Sequence, residues 1–299
     1  MQILFKIPFK KYEDKFMKLF TLLILVLAVM NINFAQEKTL IADGTADFPK
    51  KYDLEPTVEK LSSVEIEAVK KAALEKDFSF ETNYKAMSSA ESNFKQDFEL
   101  LDVAEGYFIY REIQFRAYLY TVYSQKMSRN YQGIIVLRIL ENGAKFDVAT
   151  HYVYEYHGDK YLRQLRSLKG DTLDELAIFS EPPTKKGIRK LVRIIEFSPN
   201  GLQKIGLYEI YNRENRPNYI PKDPKQKQLV QTPLISAVKL FAEIQLGKQP
   251  EFYEERWRKT SNFWGLHEKL QYKPITLAED TTNYVELFKP IFPKGIGEN

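Results

Sequence analysis

The chain has 299 residues, no cysteine, and 44 basic against 40 acidic side chains. The absence of cysteine removes disulfides, thiol nucleophiles and thiolate metal sites from consideration. Five lysines and two acids fall within residues 1–35, which leaves 39 basic against 38 acidic residues beyond them, a net charge of +1. That balance is too weak to argue for nucleic acid or an anionic membrane as partner.

Lys18 precedes an apolar run from Leu19 to Met30, and Asn33, Phe34 and Ala35 follow. A positive residue, an apolar core of about 7–15 residues and a small residue at the cut describe a secretory signal peptide. Residues 17–35 are assigned that role, with Gln36 as the new N-terminus. Glu13 and Asp14 lie where such a segment has no acids, so residues 1–16 are read as a start-codon artefact and Met17 as the start. A membrane anchor needs about 20 apolar residues, more than this run supplies. The expected location is secreted or periplasmic, with no stable membrane span after cleavage. Some 264 residues (299 less 35), with 19 Tyr and 20 Phe in the chain, can bury a core without disulfides.

Residues 36–58 are polar, with Gly44, Pro49 and Pro56, and predict an extended lead-in. Residues 59–299 predict one mainly β domain with a helical start. Ser62 and Glu65 have capping-box spacing, with Leu61 and Ile66 at the staple positions. Ile66, Val69, Ala73 and Leu74 then share a helical face. A second helix is predicted from Ser88 or Ser89 to Leu101, on the stripe Ala90, Phe94, Phe98 and Leu101.

After Gly106 the pattern alternates. Tyr118, Tyr120 and Val122 lie opposite Leu119, Thr121 and Tyr123. Ile134–Leu140 and Lys145–Tyr156 flank Asn142-Gly143, a strong hairpin signal. Leu176–Phe179 predicts a strand, and Arg189–Phe197 with Leu202–Tyr211 a second hairpin around Asn200-Gly201. A third set covers Ile235–Leu246, Glu251–Arg258 and Phe263–Tyr272. The two Asn-Gly hairpins repeat at roughly 55 residues, close to a propeller blade. The prolines and charges following Arg213, as far as Thr232, predict a disordered loop. The fold class expected is α+β, mainly antiparallel β, with N-terminal helices packed on one curved open sheet. A small or incomplete propeller is the alternative.

The stretch Ser167 to Leu176, leading into Ala177-Ile178-Phe179, resembles the FG-GAP loop of integrin-type propellers through Gly170, Asp171, Asp174, Glu175 and Leu176. The resemblance implies calcium held by Asp171, Asp174 and Glu175, since hard cations take oxygen ligands. Ser167 and Lys169 stand where acids or amides belong, Thr172 replaces a glycine, and a lysine ammonium opposes a cation. No resident cofactor is therefore expected, calcium being the single ion the loop chemistry admits. A wider resemblance, over about residues 60–289, rests on Ala104-Glu105-Gly106, Leu119-Tyr120, Gln132-Gly133, Ser198 to Gly206 and Pro250 to Tyr253. On these the chain is similar to exported bacterial proteins, acidobacterial among others, without assigned function. The likeness implies export and one continuous unit, and carries no catalytic residues.

Three histidines are present: His151, His157 and His267. Strand parity places Asp147, His151, Val153, Glu155 and His157 on a polar face opposite Tyr152, Tyr154 and Tyr156. His151 and His157 would lie about 20 Å apart at ~3.3 Å per residue, too far to share one ion. Tyr152, Tyr154, Tyr156, Trp257 and Trp264 are candidate partner-binding residues, because aromatic ladders stack on sugars or anchor proteins. No nucleophile elbow, zinc helix, phosphate loop or dinucleotide fingerprint occurs. The expected function is an exported, non-catalytic domain that binds a protein or glycan. The alternative is a periplasmic hydrolase or inhibitor built on an unrecognised carboxylate pair.

Overall fold

A computed structural model describes residues 38–46, 51, 55–74, 96–124, 128–140, 145–184, 187–198, 201–214, 234–243, 250–260, 263–269, 282 and 284–288. The chain divides into compact units Met1–Lys38 and Thr39–Asn299, and the described structure belongs to the second apart from Lys38. The expected start-codon artefact and signal peptide lie outside the described residues, as do the two Asn-Gly turns at 141–144 and 199–200. So do residues 215–233, most of the loop expected after Arg213.

The architecture is antiparallel β with one α-helix among the described residues. The strands are β1 (Lys38–Asp43), β2 (Gln96–Tyr110), β3 (Ile113–Ser124), β4 (Arg129–Leu140), β5 (Lys145–Glu155), β6 (Asp159–Leu165) and β7 (Glu175–Ser180). They continue with β8 (Gly187–Ser198), β9 (Gly201–Glu214), β10 (Leu234–Glu243), β11 (Glu251–Thr260), β12 (Phe263–Lys269) and β13 (Val285–Phe288). Helix α1 (Ser63–Leu74) follows a single 3-10 turn at Val58–Lys60. It is not long and apolar enough to cross a membrane, and no described helix is.

Two open meanders form where one curved sheet was expected. The order β13-β5-β4-β3-β2 makes a five-stranded sheet, and β12-β11-β10-β9-β8-β7-β6, with β1 against β10, an eight-stranded one. The repeated hairpins β4–β5 and β8–β9 fall in different sheets, so their likeness is that of two Asn-Gly hairpins, and the propeller finds no support. The second predicted helix is corrected. Gln96 onward is strand, paired with β3 along its length, and residues 88–95 lie outside the described set. Phe98 and Leu101 suit a helical stripe, but Phe98 and Leu100 also alternate, and pairing with a long neighbouring strand decides between the two. The lead-in is likewise partly strand, as β1.

Helix α1 begins as its sequence dictates. The Ser62 hydroxyl accepts the Glu65 N–H at 3.2 Å, which satisfies an otherwise orphaned donor. Glu65 does not complete the capping box. Its carboxylate is buried and accepts from Arg116 at 2.7 Å and from the Tyr118 hydroxyl at 2.5 Å, which pins the helix to β3. Val69, Ala72 and Ala73 then pack on Tyr118, Tyr120, Val122, Ile135 and Val153. The other face of that sheet, through Phe108, Phe115, Leu119, Ile134 and Tyr152, meets Leu176, Ile178, Ile195 and Phe197 of the larger sheet. A third cluster, with Phe179, Ile194, Tyr208, Leu240 and Phe252, includes Ile41 of β1.

β1 is placed by a fork. β9 pairs with β10 only over Leu234–Ala237, and Gly44 N–H then donates to the Val238 carbonyl at 2.9 Å. A Cβ on Gly44 would collide with the Ile210 carbonyl, so only glycine lets the chain pass this close to β9.

One bulge overturns the predicted faces of β5. Val136 pairs with Thr150 but Leu137 with Val148, so Ala149 is the extra residue and parity inverts across it. Asp147 and His151 therefore do not share a face. His151 is buried, not solvent-facing, and its Nε2 lies 2.7 Å from the Tyr120 hydroxyl. Tyr120 reaches it across Gly133, where a Cβ would strike the Tyr120 ring.

Candidate functional site

The loop that resembles a calcium-binding repeat directs its carboxylates chiefly at backbone N–H groups. Asp171 accepts the Leu173 N–H at 3.0 Å. Asp174 accepts the Tyr107 N–H at 2.7 Å and the Gln164 amide at 2.5 Å, tying β2 to the larger sheet. Glu175 accepts the Leu168 N–H at 2.7 Å, and burial pushes its carboxyl up to about 7, with the charges of Asp171 and Glu196 adding. Lys169 pairs with Glu196 at 2.5 Å. Ser167 and Thr172 take left-handed backbone, at φ 37° and 73°, stabilised by the Ser167 hydroxyl accepting the Thr172 N–H at 2.9 Å. Among the described residues no group of three or more His, Asp or Glu is placed to hold a metal ion. Thermal midpoints in calcium and in chelator are expected to coincide; a rise of several degrees with calcium would show that these carboxylates do turn to an ion.

The tyrosines proposed as a surface ladder are mostly interior. Tyr152 and Tyr154 are buried between the sheets, and only Tyr156 is exposed. The Tyr152 hydroxyl donates to Glu286 of β13 at 2.8 Å. The Tyr154 hydroxyl donates to Asp159 at 2.6 Å, and Asp159 also binds Arg193, with the two side chains 0% and 3% exposed. Arg193 lies 5.3 Å from the Tyr154 ring and donates to the Thr282 hydroxyl at 2.8 Å. Gln132, fully buried, accepts the His157 and Asp159 N–H groups at 2.9 and 3.0 Å and donates to the Asp159 carbonyl at 2.9 Å. This network joins β4, β5, β6 and β8 to the C-terminal segment. The other buried acids are engaged too: Asp102 pairs with Lys51 at 2.6 Å and accepts the Leu162 N–H at 2.7 Å.

The two tryptophans have a different fate. Paired residues on neighbouring strands share a face. The row Lys190, Tyr211, Ala237, Trp257, Leu266 runs across β8 to β12. Two residues further along each strand the same face carries Ile188, Arg213 and Ile235 on β8 to β10, and Lys259 with Trp264 on β11 and β12. The rings of Tyr211 and Trp264 meet edge to face at 6.4 Å, although two strands separate their own. Small Ala237 lies buried beneath them. Lys190 sits 5.2 Å from the Tyr211 ring, Lys239 4.9 Å from Trp257 and Lys259 5.8 Å from Trp264. Arg213, Lys259 and Leu266 are exposed, and the three rings are half-buried.

Trp257 and Trp264 were expected from the sequence, whereas Lys190, Arg213 and Lys259 were not. The signal that could have found them is the two-residue spacing of Ile188 with Lys190, Tyr211 with Arg213, Trp257 with Lys259 and Trp264 with Leu266. Each pair puts an aromatic or aliphatic side chain and its neighbour on one face. The chain matches no family model, no curated protein and no solved structure.

Proposed function

We propose that the chain is an exported, non-catalytic domain that holds a glycan along the face built by Tyr211, Trp257 and Trp264. The observation that carries the reading is a set of three half-buried rings on β9, β11 and β12, over the small buried Ala237 of β10. The three gaps from β9 to β12, at ~4.8 Å each, give a strip about 14 Å long, the length of two to three sugar units, and ring faces stack on sugar C–H groups. The apolar segment of residues 17–35 supports export, and the near-neutral remainder suits an extracellular or periplasmic partner.

A hydrolase would need two convergent carboxylates free to act. Among the described residues Asp102, Asp174 and Glu175 each accept a backbone N–H, and Glu65 and Asp159 each hold an arginine, which leaves the cross-strand pair Glu243 and Glu251, converging on the Tyr253 hydroxyl, as the carboxylates this second reading would use. Affinity electrophoresis in polysaccharide gels tests the proposal. Trp264→Ala is expected to weaken retention about tenfold or more, as loss of an aromatic anchor does, with an unchanged circular dichroism spectrum. Undiminished retention by the variant, or no retention of the parent on any polysaccharide, would sink it.

A further inference from the structure

We infer that the ligand of this face is a single soluble glycan chain that turns about its own axis, and not the flat surface of a packed, crystalline polysaccharide. This rests on the glycan reading above and specifies the physical form of the ligand. The observation behind it is the angle between two rings. Tyr211 and Trp264 meet with their planes 71° apart and their centroids 6.4 Å apart. Sugar C–H groups stack on the electron-rich face of a ring, so a plane laid on one of these rings meets the other nearly edge-on. A flat crystal gains one of the two. A chain whose successive sugars turn can gain both.

The angle has a cause in the sheet. Neighbouring strands rotate by about 20–25°, so the three gaps from β9 to β12 turn the side-chain direction by roughly 60–75° about the line that crosses the strands. A ligand lying on that line has to turn by a comparable amount over the strip of about 14 Å. Edge-to-face packing is also an arrangement that two rings prefer. Ala237, buried on β10 in register with Tyr211 and Trp257, leaves the room in which the rings lean together. They are thus set before a ligand arrives, which lowers the ordering cost of binding.

Two further features work against a flat surface. Tyr211, Trp257 and Trp264 are half-buried, whereas Arg213, Lys259 and Leu266 on the same face are exposed. A rigid plane would rest on those side chains before it reached the rings. Lys190, Lys239 and Lys259 each lie against one ring, at 5.2, 4.9 and 5.8 Å from its centroid, and occupy ring area that a plane would need. A single chain, one sugar wide, can enter between such side chains and tilt at each step.

The test compares soluble and crystalline forms of the same sugars. Cellohexaose and chitohexaose are titrated by calorimetry beside xylan, laminarin and soluble starch. Depletion of the protein from solution is measured on microcrystalline cellulose and crystalline chitin. Binding to at least one soluble chain is expected, with no depletion by either crystal. Tyr211→Ala and Trp264→Ala are each expected to weaken it about tenfold or more, with unchanged far-ultraviolet circular dichroism, because each ring carries its own sugar. Depletion by a crystal that exceeds binding to its soluble oligomer, and is lost in Trp264→Ala, would leave the glycan reading standing and overturn the turning chain. A soluble ligand lost in Trp264→Ala but held undiminished by Tyr211→Ala would do the same. No binding to any of these carbohydrates, soluble or crystalline, would overturn both.

Discussion

Arg193→Ala is expected to cost the fold about 3–5 kcal/mol, the range for removing one partner of a buried ion pair. Arg193 and Asp159 have almost no contact with solvent. Removing the guanidinium leaves the Asp159 carboxylate in the interior with the Tyr154 hydroxyl donating to its Oδ2, while Oδ1 has no hydrogen-bond partner among the described residues. It also removes the donor to the Thr282 hydroxyl and strips the Tyr154 ring of the cation beside it. Urea unfolding should show the loss as a lower midpoint. Since the cost comes from the stranded charge, the double variant Arg193→Met with Asp159→Asn should recover much of it. A single variant within about 1 kcal/mol of the parent would mean that the pair contributes no more than a surface bridge does.

Glu175→Gln is expected to stabilise the protein above neutral pH, by at most about 3 kcal/mol from a shift of that size. The folded carboxyl titrates at about 7 against an ordinary 4.5, chiefly because it is buried. A folded state with the raised value binds the proton more tightly than the unfolded chain does. Its stabilising effect is complete below pH 4.5 and is lost as the pH climbs through 7. Glutamine cannot ionise, yet its side-chain oxygen can still accept the Leu168 N–H. Melting temperatures from pH 4.5 to 8 should therefore fall less steeply for the variant than for the parent. A residual slope should persist from Asp102, which burial also pushes up against the pull of Lys51. Parallel curves for the two proteins would show that Glu175 titrates as an exposed acid.

The hairpins were legible because Asn-Gly turns and strict alternation are local signals, and β4, β5, β8 and β9 pair as the sequence implied. The first helix was legible from Ser62 and its apolar stripe. β2 was not, because Phe98 and Leu101 fit two periods and only the presence of β3 alongside chooses between them. The faces of β5 were misread because a single extra residue, Ala149, inverts parity without leaving a mark in composition. Of the site, the tryptophans stood out as residue types, but the basic rows exist only once five strands are in register. Asp159 and Arg193 lie 34 residues apart, and no local pattern in either segment announces the other.

The fork that admits β1 also bears on how the chain acquires its fold. The partner of Gly44, the Val238 carbonyl, is made about two hundred residues later, and closing so long a loop is slow. As the chain emerges from N- to C-terminus, the segment around Ile41 must wait, unpaired and apolar, until β10 appears. A nascent form therefore carries a strand without a home. That intermediate is the one in which a chaperone, or a strand from another molecule, would find a place to bind.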